Sequence, residues 1–207
     1  MSTTATQALS VPAAIEARHS IRKYKDQPVP AADLREILRL TSLAPSSANI
    51  QPWRFVVVEN KALQAQLQAA AFNQAQVGSA PALIVVYADH EDVVATADEV
   101  IHPGVPPEGR ERSRGMIAGF FAGKTLEQAH AITASQSGIA VGFLVLAAQS
   151  LGYSTSVMLG FDPAKVRELL DLPAHVNLPA LIALGVADEP GFGTHRHPVD
   201  RLARFVS

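Results

Sequence analysis

The sequence predicts a mixed fold, short buried strands alternating with amphipathic helices in a single domain. Three observations predict it. Apolar, largely β-branched runs recur at 55–59 (FVVVE), 81–88 (PALIVVYA), 153–158 (YSTSVM) and 178–187, each the pattern of a buried strand. Helical spacing of apolar residues fills the stretches between them, most clearly at 30–44. No linker, internal repeat or low-complexity segment divides the 207 residues, a length that suits one large domain or two small ones.

The elements follow in order. Residues 11–18 read as a short helix with Pro12 in its first turn. In 30–44, Leu34, Ile37, Leu38 and Leu40 form the apolar face, with Asp33, Arg35, Glu36 and Arg39 outside. Residues 60–71 are rich in Ala, Gln and Leu and read as a helix capped by Asn60; 73–76 continue polar. Residues 90–109 turn acidic and then Pro/Gly-rich, a helix fragment and a loop of the kind that forms lids. A helix is expected over 110–123, carrying Phe120 and Phe121. Residues 125–151 form the longest helical candidate. Its later part, 138–148 (GIAVGFLVLAA), is apolar nearly all round and too short to span a membrane. Such a segment suits either the core helix of a monomer or a helix partly covered by a second subunit. Asp162 and Pro163 open a helix over 162–170.

Composition narrows the function classes. With 48% hydrophobic residues a sizeable core is available, and a net charge of −2 suggests neither a nucleic-acid surface nor a polybasic membrane patch. The absence of cysteine removes disulfides, thiolate nucleophiles and thiolate-ligated zinc together, and fits a reducing, cytoplasmic setting. The first residues, MSTTATQALSVP, lack the early positive charge and apolar core of a secretory signal, and 1–10 are expected to be poorly ordered.

Two stretches carry candidate chemistry. In 44–59 (APSSANIQPWRFVVVE), a rigid strand follows a loop bounded by Pro45 and Pro52, which regular structure cannot cross. Ser46, Ser47, Asn49 and Gln51 lie between them, able to present several hydrogen-bonding groups to one ligand; an ordinary polar turn fits equally well. In 18–24 (RHSIRKY), a helical backbone would place Arg18 and Arg22 on one face beside Ser20. Two guanidiniums and a hydroxyl suit a phosphate, while a solvated basic helix end is the plainer alternative. Residues 119–125 (GFFAGKT) are one residue short of a phosphate-cradling P-loop, and GYSTS at 152–156 lacks the second glycine of a nucleophile elbow. His195 and His197 have no obvious third ligand, so no metal site is expected.

RHSIRKY, then APSSANIQPWRF, then the Gly-Phe-Asp turn at 160–162 and Arg-x-Pro at 196–198, resemble the FMN-dependent nitroreductase family in order and spacing, from about residue 11 to the C-terminus. The resemblance implies an α+β fold, a central mostly antiparallel sheet flanked by helices, in an intertwined homodimer with two FMN sites at the subunit interface. Arg18 and Ser20 match positions that bind the FMN phosphate and ribityl chain, Arg22 a basic position near the pyrimidine edge of the flavin, and Arg196 a C-terminal phosphate ligand. His19 matches as well, and its ring could equally hold the loop. Pro45, Ser46, Ser47 and Asn49 match the loop that reaches the flavin from the other subunit. Asn73 falls at a polar contact to the ring system. Gln76 stands where some members carry lysine, as Thr194 does two residues before Arg196. Leu159 and Gly160 stand where the best-known members have Glu-Gly, and Val157 replaces a proline; backbone N–H groups there could still reach flavin N5.

The implied reaction has two steps: NADH or NADPH gives hydride to FMN and leaves, and a nitroaromatic, quinone or similar small oxidant takes the electrons at the same face. Residues 100–121 are the implied lid, with Phe120 or Phe121 available to stack on an aromatic substrate. Reduction of activated alkenes or aldehydes on the same fold, and non-catalytic flavin storage, are the alternatives. No nucleic acid, membrane or metal enters the expectation.

Overall fold

The computed structural model describes residues 9–206. Its centre is a four-stranded antiparallel sheet of order β1-β2-β4-β3, formed by β1 (Trp53–Val58), β2 (Ala82–Ala88), β3 (Ser154–Met158) and β4 (Asn177–Gly185). β2 and β4 are the inner strands and are buried along almost their whole length, which explains their nearly continuous apolar sequence. β1 and β3 are the two edges.

Helices cover both faces. In chain order they are α1 (Val11–Ala17), α2 (Ala31–Ser42), α3 (Lys61–Ala70), α4 (Ala75–Ser79), α5 (His90–Ala95), α6 (Ala97–Val100), α7 (Pro107–Gly119), α8 (Leu126–Ser150), α9 (Pro163–Leu169) and α10 (Val199–Leu202). On one face α3, α4 and α9 pack over Leu83, Val85, Leu181 and Ala183; on the other α2 and α8 pack over Ile84, Val86, Ile182 and Leu184. The alternation of these strand residues between the two clusters is the period-2 pleat.

Caps set the helix starts. Asn60 Oδ1 accepts from Leu63 N–H, Asp162 Oδ1 accepts from the N–H groups of Ala164 and Lys165, and Thr125 forms a reciprocal capping box with Gln128. α8 is long and apolar enough to cross a membrane by length and composition. One side of it, including Ala140, Leu144 and Ala148, is buried against the sheet, while Ile139 and Phe143 each stay 40% exposed.

Four expectations are corrected. The segment 18–25 is extended, not helical: after α1 ends, Ser20 bridges Thr155 at the β3 edge and Tyr24 bridges Ala187 beyond β4. The bonds from Ile21 N–H to Thr155 O (3.1 Å) and from Lys25 N–H to Val186 O (2.9 Å) hold it there, and sheet pairing outweighs the local helical pattern. Residues 9 and 10 of the expected disordered leader are anchored, since Leu9 N–H donates to Ser150 O and Ser10 caps α1; residues 1–8 lie outside the described part. α7 begins at Pro107, earlier than expected, because proline suits the first turn, and α4 occupies a stretch expected only to continue polar.

Candidate functional site

Extended pairing preserves the shared face by another route. Alternate residues of a strand point the same way, so Arg18, Ser20 and Arg22 line up as an i, i+2, i+4 series. Opposite them lies the chain after β4. Gly191 (φ 69°) makes the crossing possible: a Cβ there would stand 2.8 Å from Ile21 Cδ1 and 3.3 Å from His19 Cβ. The result is a cleft of ≈ 180 Å³ lined by Arg18, His19, Ser20, Arg22, Phe192, Gly193, Thr194 and Arg196. None of Arg18, Arg22 and Arg196 pairs with a carboxylate among the described residues.

The carboxylate of Glu189 is occupied by the main chain. Glu189 Oε1 accepts from the backbone N–H groups of Arg22 (2.7 Å) and Lys23 (3.2 Å), so it staples the arginine strand to the C-terminal chain by the main chain. Tyr24 fastens the same strand from below, its single hydroxyl proton donated chiefly to Ile21 O (2.7 Å) and shared with Ala183 O (3.2 Å). Burial, and then the charge of Glu189, push the Tyr24 phenol well above its ordinary range, so it stays a neutral donor. Three guanidiniums that make no ion pair among the described residues, with the Ser20 and Thr194 hydroxyls, fit a phosphate monoester.

The 45–49 loop lies elsewhere. It precedes β1 at the sheet end where Trp53 is level with Ala88 and Asn177, whereas Ser20 bridges Thr155, level with Leu184 toward the other end; four strand-to-strand steps, roughly 19 Å across the sheet, also lie between β1 and the arginine strand. The structure therefore does not bring Pro45, Ser46, Ser47 or Asn49 to the cleft of their own chain. The loop is held from several sides. Ser46 Oγ accepts from Gln51 N–H (3.0 Å), Ser47 N–H donates to Gln136 Oε1 (2.9 Å), and Asn49 Nδ2 donates to Val100 O (2.8 Å). Ile50 is buried among Val93, Ala97, Ile101 and Ile117, so loop and lid share one apolar cluster. Phe120 and Phe121 are half-buried against that cluster, Phe121 lying 5.7 Å from the His90 ring.

At the lid base, His175 Nε2–H donates to Asp89 Oδ1 (2.9 Å), and the His90 ring meets His175 edge-on at 5.6 Å. Burial, then the neighbouring His175, hold the His90 pKa below its ordinary value. Burial opposes ionisation of Asp89, but the Asp92 N–H and His175 outweigh it and hold its pKa low.

A third group of residues gathers at the far end of β3. Leu159 and Gly160 follow the strand and are exposed, and Asn73 lies in the adjoining loop after α3. From Thr155 to Gly160 the chain advances roughly 15 Å at strand rise. Gln76, expected to face the cofactor, is 7% exposed and its Nε2 donates to Gln74 Oε1 (3.4 Å). Sequence reading missed Glu189, Gln136 and Gln74, whose partners are set by tertiary contact alone. Among the described residues no group of three or more His, Asp or Glu side chains is arranged to hold a metal ion.

Residues 15–186 match the Nitroreductase family. The chain is 48% identical over 185 residues to a protein named NADH dehydrogenase from Thermus thermophilus, covering 89% of this chain and 90% of that protein. It is 30% identical to an oxygen-insensitive NADPH nitroreductase of Helicobacter pylori, covering 81% of each. Among solved structures, a nitroreductase-type protein from Exiguobacterium sibiricum in complex with FMN superposes with a TM-score of 0.86 at 28% identity, over 98% of this chain and all of that one. An antiparallel sheet flanked by helices, an arginine-lined cleft and a match over most of its length together place the chain in the Nitroreductase family.

Proposed function

We propose that this protein is an FMN-dependent oxidoreductase that carries electrons from NAD(P)H to a nitroaromatic, quinone or similar small oxidant. The observation that carries the reading is the convergence of Arg18, Arg22 and Arg196 on one cleft whose lining, among the described residues, includes no carboxylate. Arg18, Arg196 and Ser20 take the FMN phosphate, with His19 lining the same cleft. Arg22 offers its guanidinium to the negative charge that develops on reduction. Asn73, Leu159 and Gly160 meet the ring system at the other end of the β3 edge, and Gln76 supports that end from the interior. When bound, FMN supplies the hydride chemistry, and the residues bind, orient and exclude water. The similarity to a protein named NADH dehydrogenase supports NADH as the preferred donor.

The active form is a homodimer in a single-domain architecture, with 100–121 as a lid and a cytoplasmic setting. Ser46, Ser47, Asn49 and Pro45 complete the site of the partner subunit. Their distance from the arginine cleft of their own chain supports this, as does the exposed C-terminal arm with Phe192 (88%), Phe205 (83%) and Val206 (81%). The 450 Å³ apolar groove lined by Leu9, Leu43, Phe143 and Leu146 is a second surface left uncovered by the described residues. Phe120 and Phe121 shape the lid wall of the substrate space.

Anaerobic mixing of the purified flavoprotein with NADH and then NADPH, followed by a panel of nitroaromatic and quinone oxidants, tests the reading. Bleaching of the flavin band by NADH and reoxidation by the panel are expected. A bound flavin that neither nucleotide reduces would overturn it in favour of storage.

A further inference from the structure

The loop between α3 and α4 is unusual in its backbone. Phe72 (φ 54°) and Asn73 (φ 58°) are consecutive non-glycine residues in the left-handed region. The loop lies against the turn after β3, where Asp162 N–H donates to Ala70 O at 2.8 Å. Gln74 makes the closest link between the two: its Nε2 donates to Gly160 O at 2.7 Å and to Ala71 O at 3.2 Å. Its Oε1 in turn accepts from Gln76 Nε2.

Gly160 has no Cβ to restrict its backbone, so sterics alone leave its carbonyl free to swing. We infer that Gln74 is a positioning residue: the Gly160–Gln74–Gln76 relay fixes the peptide plane of the turn that meets the flavin ring. The inference rests on the FMN reading above. It also accounts for Gln76, whose amide is spent on Gln74 and not on a ligand. The fold does not depend on this bond, because the Asp162 N–H and the Asp162 cap of α9 already close the turn.

The test uses the full chain with two readouts. In flavin-free protein, Gln74→Met keeps the side-chain length and removes the donor; amide hydrogen exchange over 158–162 should quicken several-fold while the melting temperature stays near wild type. In the loaded protein, loss of one such bond should weaken FMN binding about fivefold and move the flavin absorption bands toward those of free FMN. Gln76→Met should give the same changes at smaller size, and Gln74→Lys, which retains a donor, should restore wild-type exchange. Wild-type exchange in Gln74→Met overturns the inference, as does an unaltered flavin spectrum and affinity in a variant whose turn has loosened. Failure of the wild-type protein to bind FMN would instead overturn the reading on which the inference rests.

Discussion

Neighbouring residues on α8 should respond oppositely to the same substitution. Leu144 is fully buried in the cluster with Ile84, Ile182 and Leu184, whereas Phe143 is 40% exposed beside Leu43 and Leu146. Leu144→Glu places an unpaired carboxylate in the core at a cost of several kcal/mol, comparable with the ~5–15 kcal/mol that holds a domain folded, and should give insoluble protein. Phe143→Glu leaves the core intact. If Phe143 is covered by a partner, about 40% of a phenylalanine's ~200 Å² is removed from water there, worth roughly 2 kcal/mol per protomer at ~25 cal/mol/Å². A twofold interface counts it twice, so the dimer weakens by about 4 kcal/mol, roughly a thousandfold in Kd, before any charge penalty. Sedimentation velocity over a dilution series, with bound-flavin fluorescence read on the same samples, measures both consequences. Monomerisation and flavin release should fall on one curve. A Phe143→Glu protein that stays dimeric at nanomolar concentration would refute the placement of the interface, and a monomer that keeps its full complement of FMN would refute the shared site.

Flavin released by denaturing the protein should chromatograph as FMN, since the arginine cleft suits a terminal phosphate and the sequence carries no dinucleotide-binding fingerprint; a dominant FAD peak would contradict this. Prolonged chelation should leave NAD(P)H-dependent turnover unchanged, and activity restored only by added zinc or iron would contradict it. The depressed His90 pKa means that the folded chain binds fewer protons here than the unfolded chain below about pH 6.5. Stability should therefore fall as pH drops from 7 toward 5, and His90→Gln should flatten that limb. The Asp89 contribution, present at higher pH, should be lost only at a lower pH, as its depressed folded pKa is crossed. Identical melting profiles for wild type and His90→Gln over pH 5–7 would remove His90 from the account.

What could be read from the sequence was local. Asn60 and Asp162 announce their helices because a cap acts within three residues, and the inner strands announce themselves because both of their faces are buried. Residues 18–25 misled because Arg18 and Arg22 share a face in a helix and in a strand alike; pairing with Thr155, far along the chain, decides between them. The same limit hides Glu189 from Arg22, 167 residues apart, and Gln136 from Ser47, 89 apart. Residues 75–79 complete little more than one helical turn, too short for periodicity to speak. The separation of the arginine strand from the 45–49 loop follows from strand order, which no single segment encodes.

Ala48, Asn49, Gln51, Phe72 and Asn73 all hold positive φ, and they sit in two of the loops proposed to contact the flavin. Each non-glycine residue in that conformation costs on the order of 1 kcal/mol. A search for thermostability alone would put glycine at several of these positions, relieving strain while loosening the loops. The chain instead tolerates a less stable resting form whose contact surfaces are shaped before any ligand arrives. The expected kinetic signature is capture in a single phase, its rate set by encounter and not by loop ordering.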